Sequence, residues 1–359
     1  MVRISNIQDC LVSLDNCVYI EGDIDKRFII NNGDLLIAMS GATTGKMGVY
    51  QYDCPALLNQ RVGNIKVNTS LLLQKYRDYF MQSQGDLILK LSYGGAQPNV
   101  SAKIISDLFI PIPSLNEQEK VVAEIEKWFG FIDEIENGKI ELESHIKKTK
   151  SKILDLAISG KLVPQDPNDE PAIELLKRIN PDFEPCDNSH YENLPQGWAF
   201  CKIKDIFNIT MGQSPTGESI NGVKGIEFHQ GKIHFTESYL SQSSVYTDQP
   251  TKIVEVDSLL LCVRAPVGVL NITQRKICIG RGLCALKPKY EIDNLYWLFI
   301  LSAYKDYFES NATGSTFKAI SGDTIKNAVI KLPPLQEQER ILYSIISLYE
   351  SLDAITAEL

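Results

Sequence analysis

The sequence feature that most constrains the fold of this chain is an internal duplication, in which segments of the first half recur in the second half. Residues 110–120, Ile-Pro-Ile-Pro-Ser-Leu-Asn-Glu-Gln-Glu-Lys, match residues 330–340, Ile-Lys-Leu-Pro-Pro-Leu-Gln-Glu-Gln-Glu-Arg, at a constant offset of 220. Two earlier pairs of segments match in the same order: residues 92–101 with 312–321, and residues 33–38 with 256–261. The unit is longer than the roughly 20–50 residues of a solenoid repeat, so the pattern predicts a duplicated domain.

Both copies have the same coarse order of predicted secondary structure. Short runs rich in Val, Ile and Leu indicate β-strands. These runs are residues 35–39 and 62–67 in the first copy and residues 259–263 and 278–286 in the second. A helical stretch follows in each copy, at residues 71–84 and 294–309, and after it come a Gly/Ser/Thr loop, a short strand ending in proline and a long helix. The pattern predicts an α+β fold class with two duplicated domains separated by two long helices.

The order of elements also sets the expected boundaries. We expect a first domain, a long helix, a linker with a short helix, a second domain and a second long helix: residues 1–114, 115–158, 159–195, 196–334 and 335–359. In the second copy Trp198 lies well before Asp257, and the equivalent place before Asp34 would precede residue 1. The first domain is therefore expected to be shortened at its N-terminus, and the last helix is expected to be shorter than the first.

Both long helices carry apolar residues with a seven-residue period. Eleven positions from Val121 to Leu156 alternate steps of four and three, and nine of them are apolar. This pattern is typical of a coiled coil, and adding 220 to its first six positions gives six apolar residues in the last helix. We therefore expect the helices to pack on each other in an antiparallel coiled coil, with two separate surface helices as the alternative. The predicted interface comprises Val121, Ile125, Trp128, Ile132, Ile135, Leu142, Ile146, Ile153, Leu156, Ile341, Ile345, Leu348, Leu352 and Ile355.

The net charge of −9 is distributed unevenly along the chain. Residues 198–334 hold 15 basic and 12 acidic side chains, whereas residues 115–150 hold 6 and 9, and residues 151–197 hold 4 and 9. Acidic side chains thus collect in the predicted scaffold, and the second domain is mildly basic. Because DNA affinity comes largely from phosphate neutralisation, this distribution permits DNA binding by the domains but predicts weak binding without a partner.

Five short motifs stand out against this framework. They are Gly41-Ala42-Thr43-Thr44-Gly45-Lys46, Asn59-Gln60-Arg61-Val62-Gly63, the repeated Pro-x-Leu-x-Glu-Gln-Glu junction, Gly160-Lys161-Leu162-Val163-Pro164-Gln165-Asp166-Pro167 and Leu194-Pro195-Gln196-Gly197-Trp198. As a set they resemble the specificity (S) subunits of bacterial type I restriction-modification enzymes, over essentially the whole chain.

The resemblance implies a non-catalytic subunit that recognises DNA. Two target-recognition domains would each read one half of a bipartite, asymmetric double-stranded DNA target, and the two long helices would hold them apart and dock two methyltransferase (M) subunits. S-adenosylmethionine is expected on the M subunit, so no cofactor or metal is expected on this chain, and a restriction/translocase (R) subunit would complete the complex. No signal peptide or membrane span is expected, and the eight cysteines form no C-x-x-C pair, which favours a cytoplasmic protein with reduced thiols.

Polar residues in glycine-punctuated loops are the candidates for DNA contact. Gln and Asn pair bidentately with adenine and Arg with guanine in the major groove, while amides, hydroxyls and Lys suit phosphate oxygens. The candidates are Thr43, Thr44, Lys46, Arg61, Gln97, Asn99, Gln213, Ser214, Thr216, His229, Gln230, Lys232, Arg264, Arg281, Ser315, Thr316 and Lys318. For each of them the alternative is a structural role in a turn, and for Arg61 and Arg281 it is a buried ion pair.

The remaining motifs argue against catalytic activity or nucleotide binding by the chain itself. Residues 41–47 fail as a phosphate loop, because three residues rather than four separate the glycines and Met47 stands where Ser or Thr would bind magnesium. The Asn/Asp-Pro-Pro-aromatic motif of adenine methyltransferases is missing from the sequence. Two other functions stay open: an enzyme with its own methyltransferase or nuclease activity, and a truncated decoy or scaffold that binds methyltransferase without DNA selectivity.

Overall fold

The computed structural model of the chain describes residues 1–8, 10–22, 25–92, 98–185, 194–314 and 318–358. The chain divides into two compact units, Met1–Gly138 and Lys139–Leu359. The division falls inside the long helix, which the sequence analysis treats as a separate element between the two domains. The reason is that the first turns of this helix contact the first domain, through Gln118 for example, whereas its last turns pack within the second unit.

The first unit is built on a five-stranded sheet with the strand order β1-β2-β5-β4-β7, and β3 and β6 form a separate pair. Its strands are β1 Ile7–Gln8, β2 Cys10–Val12, β3 Ile29–Ile30, β4 Leu35–Ala38, β5 Met47–Val49, β6 Ala56–Leu57 and β7 Val62–Ile65. Its helices are α1 Gln74–Ser83, α2 Gly85–Ser92, α3 Ala102–Ser106 and the start of α4, Leu115–Ile158. Strand β4 is buried along its whole length, as a run of Leu-Leu-Ile-Ala predicts for a central strand.

The second unit contains the end of α4, two larger sheets and a two-stranded pair, with the orders β10-β12-β11-β16-β13, β15-β14-β17-β9 and β18-β8. Its strands are β8 Ala199–Lys202, β9 Phe207–Met211, β10 Ile220–Asn221, β11 Ile226–His229, β12 Tyr246–Thr247, β13 Ile253–Val254, β14 Ser258–Cys262, β15 Leu270–Thr273, β16 Ile277–Ile279, β17 Leu283–Pro288 and β18 Val329–Leu332. Its other helices are α5 Ala172–Ile179, α6 Ile203–Ile206, α7 Asn294–Ala303, α8 Lys305–Ser310, α9 Gly322–Asn327 and α10 Leu335–Ala357. None of the helices in the described ranges is both long and apolar enough to span a membrane.

The pairing of the strands confirms the duplication. Strand β4 pairs antiparallel with β5 and β7, and β14 pairs in the same way with β15 and β17. The turn before each central strand contains a left-handed residue, Gly33 with φ 87° and Asp257 with φ 58°. In the structure, Gly33 is therefore equivalent to Asp257. The sequence match instead aligned Gly33 with Val256, one residue earlier.

The two units differ in the elements that precede the shared part. A parallel bridge joins Val2 to Leu58, and its counterpart in the second unit is the parallel pairing of β11 with β16. The described residues of the first unit therefore contain no counterpart of β8, α6, β9 and β10, which precede β11 in the second unit.

The two long helices pack on each other within the second unit, and they run antiparallel. Lys150 of α4 forms an ion pair with Asp353, and its backbone carbonyl accepts a hydrogen bond from Tyr349 Oη at 3.1 Å. Beyond the end of α4, Gln165 Nε2 donates to Glu337 Oε1 in the first turn of α10 at 3.2 Å. Later residues of the first helix thus meet earlier residues of the second, and Ile153, Ile341 and Ile345 are buried in one cluster.

Only part of the predicted interface is formed this way. Ile146, Ile153, Ile341 and Ile345 are buried, and Ile125, Leu142, Leu156 and Leu352 are half-buried. Val121, Trp128, Ile132, Ile135, Leu348 and Ile355 are exposed, which contradicts their predicted place in the interface. Because Lys150 lies opposite Asp353 and α10 ends at Ala357, about one turn further on, α10 does not reach the middle of α4.

Helix α4 ends at a glycine whose conformation other residues adopt rarely. Gly160 has φ 67°, and a Cβ atom there would lie 2.4 Å from Pro195 Cγ. The Lys161 N–H bonds back to the Leu156 carbonyl at 2.9 Å and closes the last turn. This termination directs the linker back along α10, where Asp169 pairs with Arg340.

We expect Ile345→Asp to destabilise the second unit by about 4 kcal/mol or more, because the carboxylate would be buried without a partner. The matched control is Leu348→Asp, one turn further along α10 at a 40% exposed position, and it is expected to cost less than about 1 kcal/mol. Urea unfolding followed by circular dichroism measures both values. Equal stability losses in the two variants would contradict the helix pairing.

Candidate nucleic-acid interface

The second unit gathers several predicted DNA-contacting side chains at one edge of its sheets. Gln230, Lys232 and Arg264 line a cavity of about 160 Å³ together with the backbone of Gly231 and Gly282. All three side chains are exposed. We call this group, with the neighbours described next, the second-unit rim.

Strand topology explains why these residues meet. Strand β11 is parallel to β16, so Gln230 after β11 and Arg281 after β16 emerge at the same edge. Strands β14 and β9 both run antiparallel to β17, so their ends meet the start of β17, and Val263 N–H donates to the Gly282 carbonyl at 2.9 Å. The rim is therefore built from strand ends that are distant in sequence, at positions that turns between strands leave open to solvent.

Gln213, Ser214 and Lys318 also belong to the rim. The backbone N–H of Arg281 donates to Ser214 Oγ at 3.3 Å, which brings the loop after β9 against the start of β17. Gln213 N–H donates to the Ile279 carbonyl at 3.0 Å, and the Lys318 carbonyl accepts from Ala265 N–H at 3.2 Å beside Arg264. Thr216 is exposed at the start of a short 3-10 turn, and none of its described contacts joins it to this group.

The cations of the rim have no carboxylate partner in the part of the chain that the structure describes. Within the described residues, Lys232, Arg264, Arg281 and Lys318 form no ion pair with a carboxylate. By contrast, Arg275 and Lys276 of the same unit pair with Glu227 and Glu255. Four unpaired cations at one edge favour the binding of a polyanion, because each phosphate that they neutralise releases condensed counterions.

The prediction for His229 is wrong, because this side chain is buried. His229 is the last residue of β11, and its Nε2 lies 2.8 Å from Glu227 Oε1. Glu227 also accepts hydrogen bonds from Arg275 Nε at 2.8 Å and from Ser243 N–H at 2.7 Å. Burial disfavours the ionised carboxylate, but the hydrogen bonds from Arg275, Ser243 and His229 outweigh it and lower the pKa of Glu227 to about 2.

The Glu227 and Arg275 side chains support the rim, although sequence reasoning did not single them out. They fix strand β11, which Gln230 follows directly, and Arg275 Nη1 also donates to the Leu240 carbonyl at 3.3 Å. A signal was available in the sequence. Glu227 and His229 alternate with Ile226 and Phe228, so they share one face of the strand, and a carboxylate and an imidazole on a shared strand face are expected to pair.

The buried histidine predicts a pH-dependent stability of the second unit. Desolvation lowers the pKa of His229 below its ordinary value, despite the opposing effect of Glu227. The unfolded chain therefore binds a proton more readily, and stability is lost as the pH falls below about 6.5. We expect the free energy of unfolding to decrease from pH 7.5 to pH 5.5, and His229→Gln to flatten this dependence. Urea unfolding at both pH values tests it, and an equal pH dependence in both proteins would exclude His229 as its source.

The first unit has a smaller group of exposed candidates at the equivalent edge. Lys46, Arg61 and Asn99 are exposed, and a β-bridge places Asn99 beside Ser40 at the end of β4. The corresponding bridge in the second unit joins Ala319 to Arg264. Gln97, Ser315 and Thr316 lie outside the described residues.

The two threonines of the 41–46 loop do not fit the DNA-contact prediction. Thr44 is buried, and its hydroxyl donates to the Gly41 carbonyl at 2.7 Å and lies 3.1 Å from the Pro98 carbonyl. Thr43 Oγ1 is also shielded from solvent, without a hydrogen-bond partner among the described residues. The loop is a tight turn closed by the Thr44 hydroxyl. Of the candidates Thr43, Thr44 and Lys46, only Lys46 presents its side chain to solvent.

Arg61 and Arg281 occupy the same turn in the two units. Each lies in a tight turn that leads into a strand. In the first unit, Val62 N–H donates to the Asn59 carbonyl and closes the turn; in the second, Leu283 N–H donates to the Gly280 carbonyl, and both distances are 3.0 Å. Both side chains are exposed, and neither guanidinium has an ion-pair partner in the described parts of the chain, so the alternative of buried ion pairs is wrong.

A comparison with known proteins identifies the family. The family model described as "Type I restriction modification DNA specificity domain" matches residues 12–144 and residues 195–359. The chain belongs to this family. Each matched region covers most of one of the two units, and the assignment confirms the resemblance seen in the sequence motifs.

Individual members of the specificity-domain family resemble the chain over nearly its whole length. The protein assigned as the type I restriction enzyme MjaX specificity subunit of Methanocaldococcus jannaschii is 30% identical over 95% of this chain and 78% of its own length. The EcoBI specificity subunit of Escherichia coli is 21% identical over 99% of this chain and 74% of its own. Specificity subunits are the non-catalytic components of their enzymes, which agrees with the prediction that this chain is not itself an enzyme.

Solved structures share the fold. The HsdS subunit of Thermoanaerobacter tengcongensis superposes with a TM-score of 0.61 at 21% identity and covers 99% of this chain and 84% of its own. A chain from a study of complex assembly and conformational transition of the type I R-M system superposes with a TM-score of 0.68 at 23% identity, over 99% and 85% of the two chains.

Proposed function

We propose that this chain is the DNA-reading subunit of a type I restriction-modification enzyme and that each unit reads one half of a bipartite target. The observation that carries the proposal is an exposed guanidinium on the same turn of the duplicated domain in both units, Arg61 in the first and Arg281, one position earlier in the turn, in the second. Neither has an ion-pair partner among the described residues. Arginine is the side chain best suited to bidentate contact with guanine. Two copies of one reading surface suit a target with two separate half-sites.

The second-unit rim supports direct contact with the major groove. Gln213 and Gln230 supply amides suited to adenine, and Lys232, Arg264 and Lys318 supply charge for phosphates. The short loops that carry them follow strand ends, so a rigid sheet positions each side chain. The first unit has fewer exposed candidates among its described residues, namely Lys46, Arg61 and Asn99. It is expected to bind DNA more weakly by itself.

The exposed apolar part of α4 supports the docking of a methyltransferase subunit. Trp128, Phe129, Phe131, Ile132 and Ile135 are all between 44% and 71% exposed in the first unit. A large exposed apolar patch on a folded protein marks an interaction surface, and aromatic residues are enriched at such surfaces. The methyltransferase subunit would bind S-adenosylmethionine and methylate adenine, and a restriction/translocase subunit would cleave DNA. This chain would position them on the target sequence.

Mapping of methyladenine across the genome, with and without this gene, tests the proposal. The expected result is the loss of one bipartite adenine-methylated motif when the gene is deleted. Gel-shift assays with the methyltransferase subunit present should show binding selective for that motif. If the chain captures methyltransferase but the complex binds DNA without selectivity, the protein is a scaffold or decoy and the proposal fails.

A further inference from the structure

The loop that follows β11 borders two cavities of different character. One is the cavity of the second-unit rim, which the cations Lys232 and Arg264 line. The other is an open, largely apolar cavity of about 240 Å³. Its apolar lining comprises Ile220, Phe228, Ile233 and Val245. Gln230 and Gly231 line both cavities, so a cationic surface and an apolar surface meet at one short segment.

Ile233 is the member of the apolar lining that faces solvent. It is 88% exposed, more than any other large apolar side chain in the described part of the second unit. It lies in the middle of the short 3-10 turn Lys232–His234. Phe235 N–H donates to the Lys232 carbonyl at 2.9 Å, and Ser241 N–H donates to the His234 carbonyl at 2.9 Å. A hydrogen-bonded turn thus presents an apolar side chain to solvent, directly after a cation of the rim.

The turn that carries Ile233 has a counterpart in the first unit. In the second unit, Gly280 N–H donates to the His229 carbonyl at 2.7 Å, shortly before the turn. In the first unit, Asn59 N–H donates to the Val2 carbonyl at 3.0 Å, again shortly before a 3-10 turn. The same backbone connection therefore positions the turn in both units.

The residue that each turn presents is different. The turn of the first unit is Ile4–Asn6, and its middle residue is Ser5, where Lys232–His234 has Ile233. Both middle residues are exposed, so packing in a core does not account for the difference between them. The duplication has kept the turn and changed the side chain that it presents, as the reading of two different half-sites would require.

We propose that Ile233 and the apolar cavity beside it receive the 5-methyl group of a thymine in the half-site that the second unit reads. The inference rests on the proposed function, because it assigns one base contact within it. Thymine presents a methyl group in the major groove, and apolar side chains are the usual contacts of that group. Gln230 at the same segment suits an adenine, and Lys232 suits a phosphate. The rim cations also favour DNA over an apolar protein segment as the occupant, because they attract a polyanion.

The test is a series of DNA duplexes in which each thymine of the methylated motif is replaced in turn by deoxyuridine, which lacks only the methyl group. Fluorescence anisotropy measures binding of the full-length chain with the methyltransferase subunit present. For the wild type we expect one position at which uracil weakens binding about fourfold or more, the effect of one methyl group left unburied. A wild-type complex that is indifferent to uracil at every position would overturn the proposal.

Ile233→Ser places the residue of the first unit's turn in the second unit. This variant should bind the thymine duplex about as weakly as the wild type binds the uracil duplex, and it should no longer distinguish thymine from uracil at that position. If the variant still distinguishes them at every position where the wild type does, Ile233 is not the methyl contact.

Val223→Ser is the matched control. Val223 is 85% exposed in the turn between β10 and β11, and it lines neither of the two cavities. Its replacement should leave the discrimination between thymine and uracil unchanged. Because both side chains are exposed, both variants should retain the wild-type melting temperature. An equal loss of discrimination in the two variants would refute the assignment.

The same titrations separate this inference from the proposed function. Selective binding of the motif without any response to uracil overturns the methyl contact and leaves the proposed function standing, whereas binding without selectivity overturns both. A duplex with N6-methyladenine tests the other methyl group that the major groove of the target offers. If that group raises affinity only when Ile233 is present, and uracil has no effect, the cavity binds methyladenine and the assignment to thymine is wrong.

Discussion

Replacement of Lys232, Arg264 and Arg281 together by glutamine is expected to weaken target DNA binding about 100-fold or more and to abolish discrimination between target and non-target DNA. The three side chains lie on the second-unit rim without described carboxylate partners, so each is free to contact a phosphate or a guanine. If all three contact phosphates, the slope of log K against log salt should also fall by about 3 in magnitude. Anisotropy titrations with the methyltransferase subunit present, at several salt concentrations, measure both quantities.

A variant with the same change of net charge provides the control. Lys276, Lys305 and Lys326 also belong to the second unit, but each pairs with an acidic side chain, Glu255, Glu309 and Asp323 respectively. Their replacement by glutamine should leave selectivity intact and lower affinity only slightly, through the general field of the protein. If this control loses as much binding as the rim variant, charge alone and not the rim determines recognition.

A large loss of stability is also expected from Trp198→Ala. Trp198 is 9% exposed, packs in the main core of the second unit and donates a hydrogen bond to buried Glu337. Burial raises the pKa of Glu337, while the bonds from Gln165 and Trp198 act in the opposite direction. Loss of the indole would create a cavity and remove one donor from this carboxyl group, so we expect a loss of about 3–5 kcal/mol in the free energy of unfolding.

The tryptophan of the first long helix gives the matched comparison. Trp128 is 59% exposed, so Trp128→Ala is expected to change the free energy of unfolding by less than about 1 kcal/mol. Under the proposed function it should instead weaken capture of the methyltransferase subunit. Trp198→Phe retains most of the packing and should cost about 1–2 kcal/mol for the missing hydrogen bond. Guanidinium unfolding measures all three variants, and a larger loss for Trp128→Ala than for Trp198→Ala would contradict the assigned burial.

The sequence was sufficient to predict elements whose signal repeats along the chain. The first long helix spans Leu115–Ile158, because its heptads, its Pro-Ser entry and its Gly160 exit all act locally. The duplication was visible for a similar reason, since one junction is repeated almost residue by residue. The extent of helix pairing was not predictable, because a heptad pattern shows which face is apolar but not how far the partner helix reaches. Trp128, Ile132 and Ile135 carry the pattern and yet are exposed.

Side-chain roles at the candidate site were harder to predict than the elements that carry them. Arg264, Arg281 and Gln230 meet because strands from three parts of the sequence end at one edge, and single loops do not reveal this. His229 looked like a loop residue because glycine follows shortly after it, yet it closes a buried strand beside Glu227. Thr44 is polar and flanked by glycines, but its hydroxyl is used within its own turn. In each case tertiary burial decided between two roles that the local sequence allows.

One buried glutamine begins each long helix. Gln118 donates to the Leu71 and Pro113 carbonyls and accepts from Leu73 N–H, while Gln338 donates to the Pro333 carbonyl and accepts from Tyr290 Oη. Both are fully buried, so each helix is fastened to the domain that precedes it. Engineers who build chimeric subunits should therefore treat a domain and the helix after it as one cassette. Crossovers belong in the exposed stretch 136–140, where a splice disturbs neither a core nor the proposed docking residues of α4, and not at the domain–helix junction.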